Sequence, residues 1–119
     1  MRAQLYDVGD ELARLSRQRV PPAIDQVIAK LRANESTLRA AGIVSLALHG
    51  SLVRGEATVS SDVDLLAEFD NEKKLSLFSL VGLENQLTDI LGVKADLANW
   101  KTLRPEVLER AQIESVLVF

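Results

Sequence analysis

The chain has 119 residues, 47% hydrophobic and 26% charged, the usual size of one domain with enough apolar side chain for a single buried core. A net charge of −3 argues against wholesale wrapping of nucleic acid, which needs a phosphate-neutralising surface, and leaves room only for local basic spots. The absence of cysteine excludes disulfides and thiolate metal sites; with no membrane-length apolar stretch and first residues too charged for a secretory leader, a cytoplasmic setting off the membrane is expected.

Residues 10–19 place Leu12 and Leu15 among Arg14, Arg17 and Arg19, the pattern of a short amphipathic helix that Pro21 and Pro22 would stop, its arginines forming a solvated face. From Pro22 onward Ile24, Val27, Ile28, Leu31, Leu38 and Ala41 keep helical spacing up to Gly42, which stands where a helix-ending glycine belongs. The apolar run 43–48 predicts a strand buried on both faces, ended by Gly50 and Ser51. Over 63–69, Val63, Leu65 and Ala67 alternate with Asp64 and Leu66, which predicts a strand with Asp62 and Asp64 on one face.

After the polar turn 70–74, the spacing of Leu75, Phe78, Leu80, Val81, Leu87, Ile90 and Leu91 predicts a second long helix, weakened at Gly82 and stopped by Gly92. Val93, Ala95 and Leu97 alternate with Lys94, Asp96 and Ala98, a third strand with an aspartate on its polar face. Pro105 suits the first turn of a last helix over 106–112, and 113–119 closes the chain. The order describes an α/β (α+β) domain, a small mixed sheet with helices mainly on one face. One domain is expected over 1–119, with a core at 22–119 and an amino-terminal extension at 1–21.

Residues two apart on a strand lie about 6.5–7 Å apart on one face, so Asp62 and Asp64 reach the same space. Neighbouring carboxylates disfavour each other's ionisation, and relief comes from solvent or from a cation. No lysine occurs between His49 and Asp70, and the pair opens an apolar strand, which favours a divalent cation. Magnesium is held by one or two carboxylates together with substrate phosphates. Asp96 supplies a third carboxylate if strand 93–98 lies beside strand 63–69, and three such groups can hold two ions roughly 3.5–4 Å apart for in-line displacement at phosphorus. In HGSLVRG, a strand ending at Gly50 and turning into a helical segment at Ser51 offers backbone N–H groups and a hydroxyl to an anion, with Arg54 one turn later. Taken singly, the Gly50-Ser51 pair is also an ordinary turn and Arg54 an ordinary salt-bridging residue.

Gly50-Ser51-x-x-Arg54-Gly55-x-Ala57-x-x-Ser60-Ser61-Asp62-x-Asp64-Leu65 resembles the signature of the minimal nucleotidyltransferase domain, in the DNA polymerase beta superfamily. The resemblance extends over about 22–119, through LGVKADLANW with its third aspartate to RPEVLERAQIESVLVF. It implies that Gly50 and Ser51 hold a triphosphate, assisted by Arg54 and the backbone at Ser61, and that Asp62 and Asp64 bind two magnesium ions. Asp96 binds one of them and serves an acceptor hydroxyl, which attacks the alpha phosphorus of ATP and expels pyrophosphate. His49 and Leu52 depart from the pattern, standing where such domains commonly carry an aromatic and a small residue.

Relatives in that family are commonly paired with a small helical HEPN-type toxin. The expected function is therefore an adenylyltransferase antitoxin that transfers AMP to a tyrosine of a HEPN-type toxin, in a hetero-oligomer with it. The 119 residues leave no room for a separate acceptor-binding domain, which also points to a partner completing the site. Two rivals are an antitoxin that acts by binding alone and a transferase acting on a small hydroxyl compound. Residues 116–119 are apolar on both sides, which suits either an edge that docks a partner or a central buried strand.

Overall fold

The structure, a computed structural model, describes residues 22–119, so the helix expected at 10–19 lies outside the described residues. Helices α1 (Ile24–Ala33) and α2 (Glu35–Ala40) occupy the stretch whose spacing predicts one helix. The break falls at Asn34, whose side-chain amide donates to the Lys30 carbonyl (2.8 Å) while its backbone N–H donates to that of Leu31 (3.1 Å). An asparagine bonded to nearby backbone competes with the helical ladder. The apolar stripe nevertheless continues, with Val27, Leu31 and Leu38 all buried.

β1 (Ile43–His49) follows Gly42 and carries a bulge between Ile43 and Ser45. One extra residue inverts the facing of everything before it, so Ile43 joins Leu46 and Leu48 in the same core although its number has the opposite parity. Val44 is left exposed, and its carbonyl accepts from the Arg39 guanidinium (2.6 Å). β2 (Val63–Phe69) runs antiparallel to β1 over the bounds that alternation predicts.

The second long helix, α3 (Leu77–Leu91), starts later than Leu75 because Ser76 caps it, accepting from the Ser79 N–H (3.2 Å). It continues through Gly82, which faces open space, and ends at Gly92, which takes a left-handed φ of 73°. β3 (Ala95–Asn99) pairs in parallel with β2; a short 3₁₀ turn at Trp100–Thr102 and helix α4 (Pro105–Glu114) lead to β4 (Val116–Leu117), antiparallel to β1.

The sheet order is β3-β2-β1-β4. On one face Leu46, Leu48, Val63, Leu65, Ala67 and Ala95 form the main core with Val27, Leu31 and Leu38 of α1 and α2 and Leu83, Leu87 and Leu91 of α3. On the other, Ala111 of α4 packs on Ala47 and Leu66 beside Ala98, Trp100 and Leu103. The sheet is thus mixed, with helices mainly on one face.

Its two rims differ. At β3 the backbone N–H groups of Ala95 and Leu97 donate to α3 side chains, Thr88 Oγ1 and Glu84 Oε2 (both 3.0 Å). The segment 116–119, for which a central position was one expectation, is at the opposite rim: Val118 is buried in the main core while Leu117 is 63% exposed. Among the described residues no helix is long and apolar enough to cross a membrane.

Leu87 is fully buried in the main core, so Leu87→Ala is expected to cost about 2–5 kcal/mol in urea denaturation, against about 1 kcal/mol for removing the cap with Ser76→Ala.

Candidate active site

Strand register brings three ionisable side chains into one row. Pairing of β1 with β2 sets His49 opposite Asp64, and pairing of β2 with β3 sets Asp64 opposite Asp96. Directly opposed residues share a face, here that of Ala47, Leu66 and Ala98, away from the main core. Asp62 lies two residues before Asp64, just ahead of the strand, and continues this face.

The turn after β1 fits against this row. Gly50 has a φ of 82°, and a Cβ on it would coincide with the Asp64 carboxylate. Only glycine meets both conditions. Sequence spacing predicts a helical segment from Ser51; instead a closed turn forms, in which the Arg54 N–H donates to the Gly50 carbonyl (3.2 Å) and the Glu56 N–H to that of Ser51 (2.8 Å). Gly55, also left-handed with φ 73°, ends it before a helix can propagate. The N–H groups of Ser51, Leu52 and Val53 have no backbone acceptor among the described residues, so the turn retains the donors an anion needs. Leu52, bulky for its place in the family pattern, is buried in the main core and pins the turn to the sheet.

The charges around the row come from several elements. Burial pushes the Asp64 carboxyl above its ordinary range; His49 opposes the shift, and Asp96 and Asp62 reinforce it. Burial likewise pushes His49 below its ordinary value, against the pull of Asp64, which favours a neutral imidazole near pH 7. The stretch 50–69 has no lysine, and Asp62 instead meets Lys94 (Nζ to Oδ2, 3.8 Å), placed beside it by the β2–β3 register. Arg54 is held by Glu56 (Nε to Oε2, 3.1 Å) and by Glu114 at the end of α4 (Nη1 to Oε2, 3.6 Å). The Ser61 N–H donates to the Thr58 carbonyl (3.0 Å) and its hydroxyl accepts from the Thr58 N–H (2.7 Å), closing the loop into β2.

The register therefore gathers Asp64, Asp96 and the Gly50–Ser51 turn, with Asp62 beside Lys94. Among the described residues no three carboxylate or imidazole groups stand close enough to hold a metal ion as they are. The donor set suits magnesium in kind, being hard carboxylate oxygens, one of which, on Asp64, burial and then the neighbouring Asp96 and Asp62 hold back from ionising. A cavity of about 420 Å³ opens over His49, Gly50, Arg54 and Asp64, and α4 forms its far wall with Glu106, Arg110 and Glu114. Sequence reasoning missed this wall and the Lys94 and Glu114 pairings. The four-residue spacing of Glu106, Arg110 and Glu114 marks one charged stripe, but not the surface it faces.

The model of the nucleotidyltransferase domain family matches residues 24–118. A protein of Thermococcus cleftensis named protein adenylyltransferase MntA is 33% identical over 96 residues, 80% of this chain and 95% of that protein. A Methanocaldococcus jannaschii protein provisionally named a protein adenylyltransferase is 36% identical over 77 residues, 65% of this chain and 76% of its own. A solved structure provisionally described as a minimal nucleotidyltransferase superposes with a TM-score of 0.68 at 30% identity, covering 79% of this chain and 94% of that one. The chain belongs to the nucleotidyltransferase domain family, and its fold is that of the minimal nucleotidyltransferases.

Two outcomes follow from the geometry. Gly50→Ala should lower stability by roughly 1–3 kcal/mol in denaturant melts, through a left-handed alanine and a displaced Asp64. The raised Asp64 pKa means the folded state holds its proton more tightly than the unfolded chain, so ionisation of Asp64 costs stability as pH rises. Asp64→Asn is therefore expected to raise the metal-free melting temperature at pH 7, the gain shrinking toward zero below about pH 4.

Proposed function

We propose that this chain is a magnesium-dependent protein adenylyltransferase that transfers AMP from ATP to a hydroxyl, that of a tyrosine, on a HEPN-type toxin, and so acts as the antitoxin of that pair. The observation that carries the reading is the close approach of Gly50 to Asp64, which the β2–β3 register sets opposite Asp96, at a cavity about 420 Å³ in volume that Gly50 and Asp64 line. The Thermococcus cleftensis relative is named a protein adenylyltransferase, and solved structures of like fold include toxin–antitoxin complexes, one of them with AMP-PNP. A cytoplasmic setting belongs to the same reading and accords with the cysteine-free composition.

In this mechanism the backbone N–H groups after Gly50 and the Ser51 hydroxyl cradle the triphosphate, and Gly50 permits close approach. Arg54 exchanges a carboxylate partner for phosphate oxygen, with the backbone at Ser61 contributing if the Thr58 bond opens. Bound magnesium, two ions held by Asp62, Asp64 and Asp96, would neutralise phosphate charge as it shifts toward the leaving group. Asp96, an exposed side chain on the outer strand of the row, orients the acceptor hydroxyl and takes its proton. The hydroxyl oxygen forms a bond to the alpha phosphorus as the bond to the bridging oxygen breaks, and pyrophosphate leaves with that electron pair. Catalysis is positioning and electrostatics.

A partner accords with the surface. Leu77, Phe78 and Val81 stand exposed together at the start of α3, and Leu117 at the β4 rim. Apolar side chains grouped in this way mark interaction surfaces. Val118 is core, so the rim is better probed by Leu117→Lys than by truncation.

With labelled ATP, magnesium and a candidate toxin, the wild type should label the toxin, and an Asp62→Asn, Asp64→Asn double variant should do so at least about a hundredfold more slowly while remaining folded. Toxin neutralised without label would favour binding alone, and label on a small hydroxyl compound the other transferase. ATP with magnesium at about 100 times Kd should add about 2.7 kcal/mol of stability, and no thermal shift at millimolar ATP would count against the site.

A further inference from the structure

The cavity that Asp64 borders is lined by two arginines, Arg54 from the turn and Arg110 from α4. Their surroundings are unequal. Arg54 is engaged twice, by Glu56 and Glu114. Arg110 has a carboxylate one turn away on each side, Glu106 and Glu114, the spacing that forms ion pairs on helix surfaces. Among the described residues, however, no carboxylate lies within 4.0 Å of it, and Glu114 is drawn instead to Arg54. The cavity thus pairs off the arginine of the sequence motif and leaves a second arginine, from a part of the chain outside that motif, without a carboxylate partner among the described residues on its opposite wall.

A cavity already holding Asp64, Glu106 and Glu114 is a poor host for a polyanion unless each cation on its wall contributes. The reacting phosphorus has to lie beside the aspartate row, so the remaining phosphates extend from the Gly50–Ser51 turn into the space that α4 borders. A planar guanidinium there suits phosphate oxygens, which it contacts through two parallel N–H bonds. We infer that Arg110 is a second phosphate-binding residue of the site, one that recognises the distal phosphates of the nucleoside triphosphate from across the cavity. The inference rests on the nucleotidyltransferase reading above and adds to it a residue and a portion of the substrate.

The test is calorimetric titration of the full chain with ATP and separately with AMP, both with magnesium, for the wild type, Arg110→Ala and Arg110→Lys. Arg110→Ala should weaken ATP binding about ten- to a hundredfold and AMP binding less than about twofold, and Arg110→Lys should recover part of the loss. The side chain is exposed, so the ligand-free melting temperature should be unchanged, which separates loss of a contact from loss of fold. Unchanged ATP affinity in Arg110→Ala would overturn the inference while leaving the transferase reading intact, as would equal weakening of ATP and AMP. A wild type that binds neither nucleotide would overturn both.

Discussion

Position 50 and the Asp64 carboxylate compete for one volume, and the site exists because glycine yields it. A methyl group there would push the aspartate off its strand position, and the left-handed backbone at Gly50 is what turns the chain away from β1 at that point. The turn and the row are therefore not independent parts brought together by chance packing. The residue that frees backbone N–H groups for an anion is the same one that lets a carboxylate stand directly beside them. Leu52 anchors this junction from below, in the core, so its exposed surface is free to be polar.

The charges of the site are assembled from distant parts of the chain. The face that carries His49, Asp64 and Asp96 is the less covered face of the sheet, while α1, α2 and α3 seal the other with leucines. On this side Ala111 of α4 packs on the sheet, and Glu106, Arg110 and Glu114 of the same helix line the cavity beside Asp64. Half-burying Asp64 among other carboxylates works against stability at neutral pH, and the main core carries that load. Fold and site are divided between the two faces of one thin sheet.

Much of this arrangement was legible in sequence where the rules are local. The alternation of Val63, Leu65 and Ala67 gives β2 to the residue, and the aspartate spacing gives the face, because strand geometry has a period of two. What could not be read depends on tertiary context. The break at Asn34 interrupts a stripe that remains helical in spacing, and the bulge at Val44 inverts a parity that sequence alone cannot count. Ser51 begins a pattern compatible with a helix, but the left-handed glycines at both ends of the segment allow only a turn. The partner of Asp62 and the second partner of Arg54 are 32 and 60 residues away, at Lys94 and Glu114, and no local pattern links them.

The side chains of Thr88 and Glu84 cover the backbone donors of β3, and this gives the sheet a direction of growth. A strand from another molecule that seeks main-chain pairing finds those donors occupied on the Asp96 side and must add beyond β4 instead. Continuation of the sheet then proceeds away from the aspartates, two strands removed from the nearest of them. An assembly built in that way would keep the reactive face open to an arriving side chain.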